Sequence, residues 1–578
     1  MQPFRSCSLI AAPVLALALP LLTPASAEAC GGTFCDAGPT AMPVDQTGEN
    51  ILFRIDETSV EAHIQIQIDS STEAEQFAWV IPVTALPEFF VGSQILFDNM
   101  LAGSVPTYGR RFTSDQCAPP DDTFGGDSAG GETGGFTTGQ GTTDGDPGGP
   151  EGPTVEFEGS VGAFDIAVLS GGTVEGVMMW LAENNYQQDP NAEPILAQYL
   201  EEEFLFVALR LGVETGVDEV HPIVIKYEGD EPCVPIRLTA IAASDDMDIR
   251  TFFLGNARVV PQNYRHVLVN PLKIDWLNDG SNYKEVISLA VDAPMADGNA
   301  FVTEYAGPSD VISTNGLTRA SWDSSEYAAY VDSPVGVIEE LYADELLFCD
   351  WEFDPDCVGL HPLIEPILAQ FIPVPDGVTE AEYYDNLADY VDIIDLVAWD
   401  AEAMATMIEE RIFAPGLRAR ELLSNNNYLT RMYTTISPSE MNDDPIFIAN
   451  TTLPDVPNQR EAEVRTLCDD SRLVTLPDGR EIFFPADEPL VWPDFQDEMP
   501  WEEDIDQEGM ADDAPLINLV DNTAEIDRLL EEYNQQKGYG TPSTGCAGCS
   551  LEQAGAGGGI AFGLMTLALF GFVRRRRD

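Results

Sequence analysis

An alternating segment near the N-terminus constrains the fold of this chain more than any other part of the sequence. In residues 59–69, SVEAHIQIQID, apolar and polar residues alternate from Val60 to Ile68. Successive side chains of a β-strand point to opposite faces of a sheet, so the pattern predicts a half-buried strand with one face in water. His63 would lie on that wet face as a solvated side chain. Such strands are typical of antiparallel sheets, which can leave one face exposed.

Predicted helices are inserted among predicted strands as far as residue 300. The strands fall at residues 49–83, 155–169, 204–211, 222–227, 234–242 and 249–254, and the helices at 93–101, 173–184 and 194–200. Helical spacing dominates afterwards, at residues 333–348, 379–397, 400–412 and 416–423, before a hairpin at 472–484. The predicted fold class is therefore α+β: an N-terminal domain with a mixed, mainly antiparallel sheet and inserted helices, followed by a more helical C-terminal region.

Two segments have the composition of loops or linkers between folded parts of the chain. Residues 119–153 contain almost no aliphatic side chains and are rich in Gly, Thr and Asp, so we expect a disordered insertion. Residues 485–513 mix acidic residues, Pro and Trp without a period. The predicted organisation is a signal peptide (1–27), a first domain part (28–118), the insertion (119–153), a second domain part (154–300), a helix-rich region (301–484), an acidic segment with linker (485–543) and a sorting segment (544–578).

The N-terminal residues have the order of a secretory signal. Arg5 precedes an apolar run at residues 9–22, and Ala25-Ser26-Ala27 supplies small residues for cleavage. We expect cleavage after Ala27. Lipidation at Cys30 is the rival interpretation, but Glu28 fits poorly among the small apolar residues that precede a lipidated cysteine.

The C-terminal residues combine an apolar run with a basic cluster. Residues 557–573 are at the short limit for a membrane-spanning helix, and Arg574–Arg577 would hold its end in the cytoplasm. The layout TGCAGC, linker, small-residue span and arginines resembles the myxobacterial MYXO-CTERM sorting signal. That resemblance implies that the chain is processed at Cys546 or Cys549 and that its partners are the export and sorting machinery. It also implies membrane contact through residues 557–573 before processing, and a final location at the outer-membrane surface. A permanent anchor is the alternative.

Charge excludes one large class of partners. The chain has 99 acidic and 27 basic residues, a net charge of −72, and 44% hydrophobic residues. The apolar content is sufficient for real cores, so the acidic excess belongs to the surface of a globular protein. Nucleic acids need Lys and Arg contacts with phosphates, so we expect no nucleic-acid partner.

The cysteines are expected to form disulfides, because a secreted protein folds in an oxidising compartment. Cys30 and Cys35 enclose a short loop, as do Cys349 and Cys357, and each pair is predicted to be bonded locally. A Cys-Cys-His metal site that includes His361 is the rival for the second pair. The pairing of the other mature-chain cysteines outside the tail stays open: Cys117, Cys233 and Cys468.

Several blocks in one order resemble a known family. They are CGGTFCDAGP, FAWVIPV with LPEFFVGS, WLAENNY, HPIVIKY and PIRLTAIA, between about residues 30 and 256. They are similar to the secreted bacterial family filed as domain of unknown function 2330. The resemblance implies an exported envelope protein and supplies no activity or catalytic residue.

Catalytic motifs do not appear in the sequence. GxSxG, HExxH, Walker and SxxK patterns are missing, so we name no catalytic residue, no metal ligand and no cofactor, and the enzyme interpretation is disfavoured. His221 and His361 each precede a proline and are expected to be structural. Calcium is a minor possibility at three acidic clusters, residues 245–248, 278–282 and 354–356, none of which has the spacing of a calcium-binding loop.

The sequence thus predicts an exported, surface-anchored envelope protein with a structural or binding role. The alternative is a hydrolase of envelope polymers or peptides. Paired carboxylates that act as general acid and base have no fixed spacing along a chain, so the missing motifs leave that alternative open.

Overall fold

The computed structural model describes residues 46–55, 58–68, 78–116, 152–184, 192–212, 219–229, 232–241, 243–350, 354–495, 499–509 and 513–539. The predicted signal peptide, most of the predicted insertion and the predicted sorting segment lie outside these residues.

Strands predominate in the first part of the described chain. Its elements are β1 (Gln46–Ile55), β2 (Ser59–Ile68), β3 (Ala78–Val83), β4 (Glu88–Val91), α1 (Gln94–Ser104), β5 (Thr107–Ser114), β6 (Thr154–Val161), β7 (Phe164–Ser170), α2 (Val174–Glu183), α3 (Ala192–Glu201), β8 (Leu205–Leu211), β9 (Ile223–Glu228), α4 (Ile236–Thr239), β10 (Met247–Gly255), β11 (Arg258–Pro261), β12 (Arg265–Val269), α5 (Tyr283–Val291) and β13 (Ala300–Pro308).

Helices come next, and strands return at the end. The elements are α6 (Ser324–Ala328), α7 (Val337–Ala343), β14 (Leu347–Phe348), β15 (Val358–Gly359), α8 (Ile364–Phe371), α9 (Glu380–Asp385), α10 (Ala401–Ile408), a π-helical turn (Glu409–Phe413), α11 (Ala414–Asn425), β16 (Tyr428–Ile436), β17 (Phe447–Asn450), β18 (Gln459–Thr466), β19 (Arg472–Thr475), β20 (Glu481–Phe484), β21 (Glu502–Gln507), β22 (Ile517–Asp521) and α12 (Thr523–Gln536).

Several helices begin where the sequence offers a capping residue. Ser93 accepts a hydrogen bond from Leu96 N at the start of α1, and Thr173 accepts one from Gly176 N at the start of α2. Asp400 caps α10 in the same way. Such side chains satisfy backbone N–H groups that have no partner within the helix, which contributes about 1 kcal/mol each.

A ten-stranded sheet organises the molecule. Its strand order is β22-β21-β12-β13-β16-β10-β1-β2-β9-β4. Neighbours are antiparallel except for the parallel pairs β1 with β10 and β12 with β13. Strands from both sides of residue 300 share this sheet, because β13 and β16 lie at its centre. The fold class is α+β with mainly antiparallel sheets, as predicted.

Both faces of this sheet are covered. On one face, Phe53 and Val60 pack against Ile166 and Val207 of a second sheet, ordered β3-β8-β7-β6. On the other face, side chains of β1 and β10 pack against α1 and α11, through residues that include Leu52, Phe97, Phe252 and Leu422. Helices α2 and α3 cover the outer side of the second sheet. Each fully buried aliphatic or aromatic side chain contributes about 2–3 kcal/mol.

Two further cores complete the described chain. One joins α5 and α12 to β12, β13 and a third sheet, ordered β20-β19-β18-β5. The other is built mainly from helices α6 to α10. The predicted hairpin at residues 472–484 is the pair β19 and β20.

The prediction of a wet face on β2 was wrong. Glu61 is 6% exposed and His63 only 1% exposed, because α1 and, from a distant part of the chain, α11 cover that face. Two smaller predictions were also wrong. The expected strand at residues 234–242 contains helix α4, which begins after Pro235. The aperiodic stretch 485–513 contains β21, which joins the large sheet through backbone pairing although only Ile505 is buried.

Candidate functional site

A buried carboxylate lies on the helix-covered face of the large sheet. Glu61 accepts hydrogen bonds from His63 Nε2 and Arg418 Nη1, each at 3.1 Å. Burial alone would raise the pKa of Glu61, but the hydrogen bonds and charges of His63 and Arg418 lower this pKa to about 2. Glu61 is therefore ionised at neutral pH, and His63 Nε2 carries the proton of the shared hydrogen bond.

Arg418 joins this carboxylate to an aromatic side chain. Its guanidinium carbon lies 3.7 Å from the ring centroid of Phe90, which belongs to β4. A guanidinium over an aromatic face gains a cation–π interaction of about 1 kcal/mol. The three side chains come from α11, β2 and β4, so the contact fixes α11 against the end of the sheet.

A π-helical turn precedes α11. Within this turn Arg411, Ile412 and Phe413 are buried, whereas Glu409 and Glu410 are exposed. Turns of this type are rare and are found frequently at functional sites, because the inserted residue changes the direction of neighbouring side chains.

Arg411 fastens the π turn to the turn between β6 and β7. It pairs with Glu219 and donates a hydrogen bond to Gly162 O at 3.2 Å. Gly162 has φ +59°, and a Cβ atom there would lie 2.0 Å from His221 Nε2. Only glycine allows this close approach.

His221 is structural, as the sequence predicted. Its Nε2 accepts a hydrogen bond from Ala163 N at 2.9 Å, and its Nδ1 lies 2.8 Å from Pro222 O, a geometry in which Nδ1 donates. Burial lowers the pKa of His221 to about 4, so the ring is neutral near pH 7. It holds the β6–β7 turn in position.

These elements enclose a cleft of about 770 Å³. Its lining comes from Arg54 and Glu61 of the large sheet, from β4 (Phe89, Phe90, Val91), from the end of β6 and the turn after it (residues 160–162), and from the helical wall between Glu409 and Asn426. The volume is within the range of about 300–1,000 Å³ that is usual for ligand sites. The lining combines four glutamates and two arginines with apolar side chains, which suits a polar ligand that also has apolar groups.

The predicted disulfide between Cys349 and Cys357 is present, with the two Cα atoms 4.4 Å apart. The short hairpin of β14 and β15 brings these residues together. His361 is buried, and its Nδ1 accepts a hydrogen bond from Leu363 N. Burial lowers the pKa of His361 to about 4. The rival Cys-Cys-His metal site is excluded because both thiols are used in the disulfide. Cys468 is also disulfide-bonded.

The acidic clusters considered for calcium form internal contacts. Asp248 forms ion pairs with Arg250 and Lys284, and Asp246 accepts a hydrogen bond from Ser288. Similar local bonds occupy residues 278–282 and 354–356. Among the residues that the structure describes, no group of three or more His, Cys, Asp or Glu side chains is arranged to hold a metal ion.

The other predicted site residues lie outside the described part of the chain. They are Ala27, Cys30, Cys35, Cys546 and Cys549. Residues 557–573 lie outside it as well, and within the described ranges no helix has the length and apolar character to cross a membrane.

Sequence reasoning did not find the cleft. Its walls come from segments more than 300 residues apart, such as Glu61 and Arg418. One signal was available: Pro415 and Gly416 stand where the predicted helix 400–412 is followed by the predicted helix 416–423, and both residue types normally disrupt a helix. A Cβ atom at Gly416 would lie 1.7 Å from Leu317 O, so the pair marks a helix that packs closely on its neighbour.

Comparison with known proteins identifies one relationship. A family model described as an uncharacterized protein conserved in bacteria, DUF2330, matches residues 24–357. No curated protein and no solved structure matches the chain. The match extends about one hundred residues beyond the blocks noted in the sequence, and it includes the sheet side of the cleft but ends before α11. Because the match covers more than half of its residues, the chain belongs to the DUF2330 family of bacterial proteins.

Proposed function

We propose that the chain is an exported protein of the cell envelope, held at the outer surface through its C-terminal segment, and that it binds a ligand in the cleft beside Arg418. Disulfides persist in oxidising compartments and are rare in the cytosol, so the Cys349–Cys357 bond supports export. The signal-like order at residues 1–27 and the sorting-like order at residues 544–578 support the same route.

The cleft carries the binding part of the proposal. Two sheets, a π turn and α11 meet there, and fixed contacts hold its walls: Arg418 with Glu61, and Arg411 with Glu219 and Gly162. A preformed concave site of this kind loses little conformational entropy when a ligand enters.

The geometry favours binding over the hydrolase alternative. A general acid near neutral pH needs a raised pKa, as in a carboxyl sheltered from charge. Glu61 is the sheltered carboxylate of this cleft, and its pKa is lowered to about 2 by His63 and Arg418 despite burial. It serves to position Arg418 and is a poor proton donor or acceptor.

Cell fractionation tests the location. The full chain and a version that ends at Pro542 are expressed in the native host, and the two are compared in cytosol, envelope and medium. We expect the full chain at the outer surface and the shortened chain released in soluble form. Retention of the shortened chain as firmly as the full chain would overturn the anchoring role of the tail.

Thermal denaturation tests the cleft. Ala414 is exposed and lines the cleft, so Ala414→Trp should fill it, whereas Ala524→Trp places the same side chain on an exposed part of α12. Peptide and polysaccharide fractions of the envelope are added to each protein. A ligand raises the midpoint of unfolding in proportion to RT ln(1 + [L]/Kd). We expect the unfolding midpoint to rise for the wild type and for Ala524→Trp, and to stay unchanged for Ala414→Trp. The proposal is refuted if the midpoint of the wild type does not rise, or if that of Ala414→Trp rises equally.

A further inference from the structure

An edge strand forms one side of the cleft. β4 is the last strand of the ten-stranded sheet and pairs with β9, and no second strand of the described chain pairs with its other edge. Phe89, Phe90 and Val91, three of its four residues, line the cleft. An edge strand presents backbone N–H and C=O groups outward, and an added peptide strand can hydrogen-bond to them.

The opposite wall is acidic. Glu410, Arg418 and Glu421 follow one another at helical spacing on the side of the helix that lines the cleft. The charge of Arg418 is matched by Glu61. Glu410 and Glu421 are exposed and form no ion pair with any residue that the structure describes, so a cationic ligand could pair with both.

Apolar surface lies between the edge strand and the acidic wall. Phe90 lies on the strand side, with the Arg418 guanidinium over its ring, and Leu417 is 43% exposed on the helix side. A ligand that fits these three features has a peptide backbone, basic side chains and apolar side chains. The excess of acidic over basic residues in the whole chain also attracts basic partners over longer distances.

We infer that the cleft binds an extended basic peptide segment, which adds to the open edge of β4 and pairs its Lys or Arg side chains with Glu410 and Glu421. This inference rests on the proposed binding function and names its ligand class. The two glutamates are eleven residues apart on the helical wall, or about 16 Å. An extended peptide rises about 3.3 Å per residue, so two basic residues four apart lie on one face of the strand and span about 13 Å, and their long side chains cover the remaining distance to the two carboxylates.

Fluorescence anisotropy with defined peptides tests the inference. The probe is a labelled ten-residue peptide of alternating valine and lysine. In one comparison peptide glutamate replaces lysine, and in the other every second backbone amide is N-methylated. The full chain is used. We expect the lysine peptide to bind, the glutamate peptide not to bind, and the N-methylated peptide to bind at least tenfold more weakly because it cannot pair fully with β4.

A matched pair of variants separates the cleft from general charge attraction. Glu410→Gln with Glu421→Gln should weaken binding of the lysine peptide about tenfold, since each exposed ion pair contributes about threefold. Glu285→Gln with Glu531→Gln removes the same charge from exposed positions on α5 and α12, and should leave binding unchanged.

Three results would overturn the inference: equal weakening by both double variants, equal binding of the N-methylated peptide, or no binding of the lysine peptide. If the lysine peptide does not bind, but the envelope fractions still stabilise the wild type and not Ala414→Trp, the cleft binds another ligand class. The proposed function then survives and the inference alone fails.

Discussion

The buried carboxylate of β2 should make the stability of the large sheet depend on pH. The pKa of Glu61 is about 2 in the folded protein against an ordinary value of 4.5, although burial alone would raise it. This difference corresponds to about 3 kcal/mol of stabilisation at neutral pH. Because the folded pKa is the lower one, the stabilisation is complete above about pH 5 and is lost as the pH falls toward 2.

The substitution Glu61→Gln removes the titrating group and keeps its shape. At pH 7 we expect a loss of about 2 kcal/mol in the free energy of unfolding, because the amide retains one hydrogen bond but not the ion pair with Arg418, which is partly exposed. As the pH falls, protonation of Glu61 reduces the difference in unfolding free energy between the wild type and the variant by about 1 kcal/mol at pH 4 and by about 2 kcal/mol at pH 3. The two proteins should therefore converge in stability near pH 3.

Urea denaturation followed by circular dichroism, at pH 7, 4 and 3, measures these differences. Glu285→Gln on α5 is the control, since its side chain is exposed and forms no ion pair in the described part of the chain. It should stay within about 0.5 kcal/mol of the wild type at each pH. A gap between the wild type and Glu61→Gln that is as large at pH 3 as at pH 7 would refute the assignment of Glu61 as an ionised, paired carboxylate.

Three further substitutions test the supports of the cleft and the disulfide. Gly162→Ala should destabilise the protein by more than 2 kcal/mol in thermal unfolding, because the added Cβ atom would overlap the ring of the buried His221. Gly171→Ala is the control, since Gly171 has the same φ of +59° with open space around it, and it should destabilise the protein by only about 1 kcal/mol. Equal losses of stability would contradict the steric argument. Cys349→Ser should lower stability by about 2–3 kcal/mol, and peptide mapping without reductant should find this cysteine linked in the wild type; recovery of a free thiol would contradict the disulfide. Arg411→Met should destabilise by about 3 kcal/mol in urea, because it removes a largely buried ion pair with Glu219. Arg319→Met, which breaks an exposed ion pair, should change stability by less than 1 kcal/mol; similar effects of the two would argue against the anchoring role.

Local chemistry explains what could be predicted from the sequence. The alternation around His63 predicted β2, the helices predicted from residues 93 and 173 begin there, and the spacing of Cys349 and Cys357 predicted their disulfide. Each of these features depends on residues close together along the chain, where backbone geometry limits the possible structures.

The tertiary structure alone decided which faces are buried and where the cleft lies. The polar side of β2 reads as solvent-exposed until α11, more than 340 residues later, covers it and supplies Arg418 to Glu61. β21 has an acidic sequence that predicts no strand, and it is ordered by backbone pairing with β12. Burial and charge pairing depend on contacts between distant segments, and these contacts leave no periodic pattern in the residues that make them.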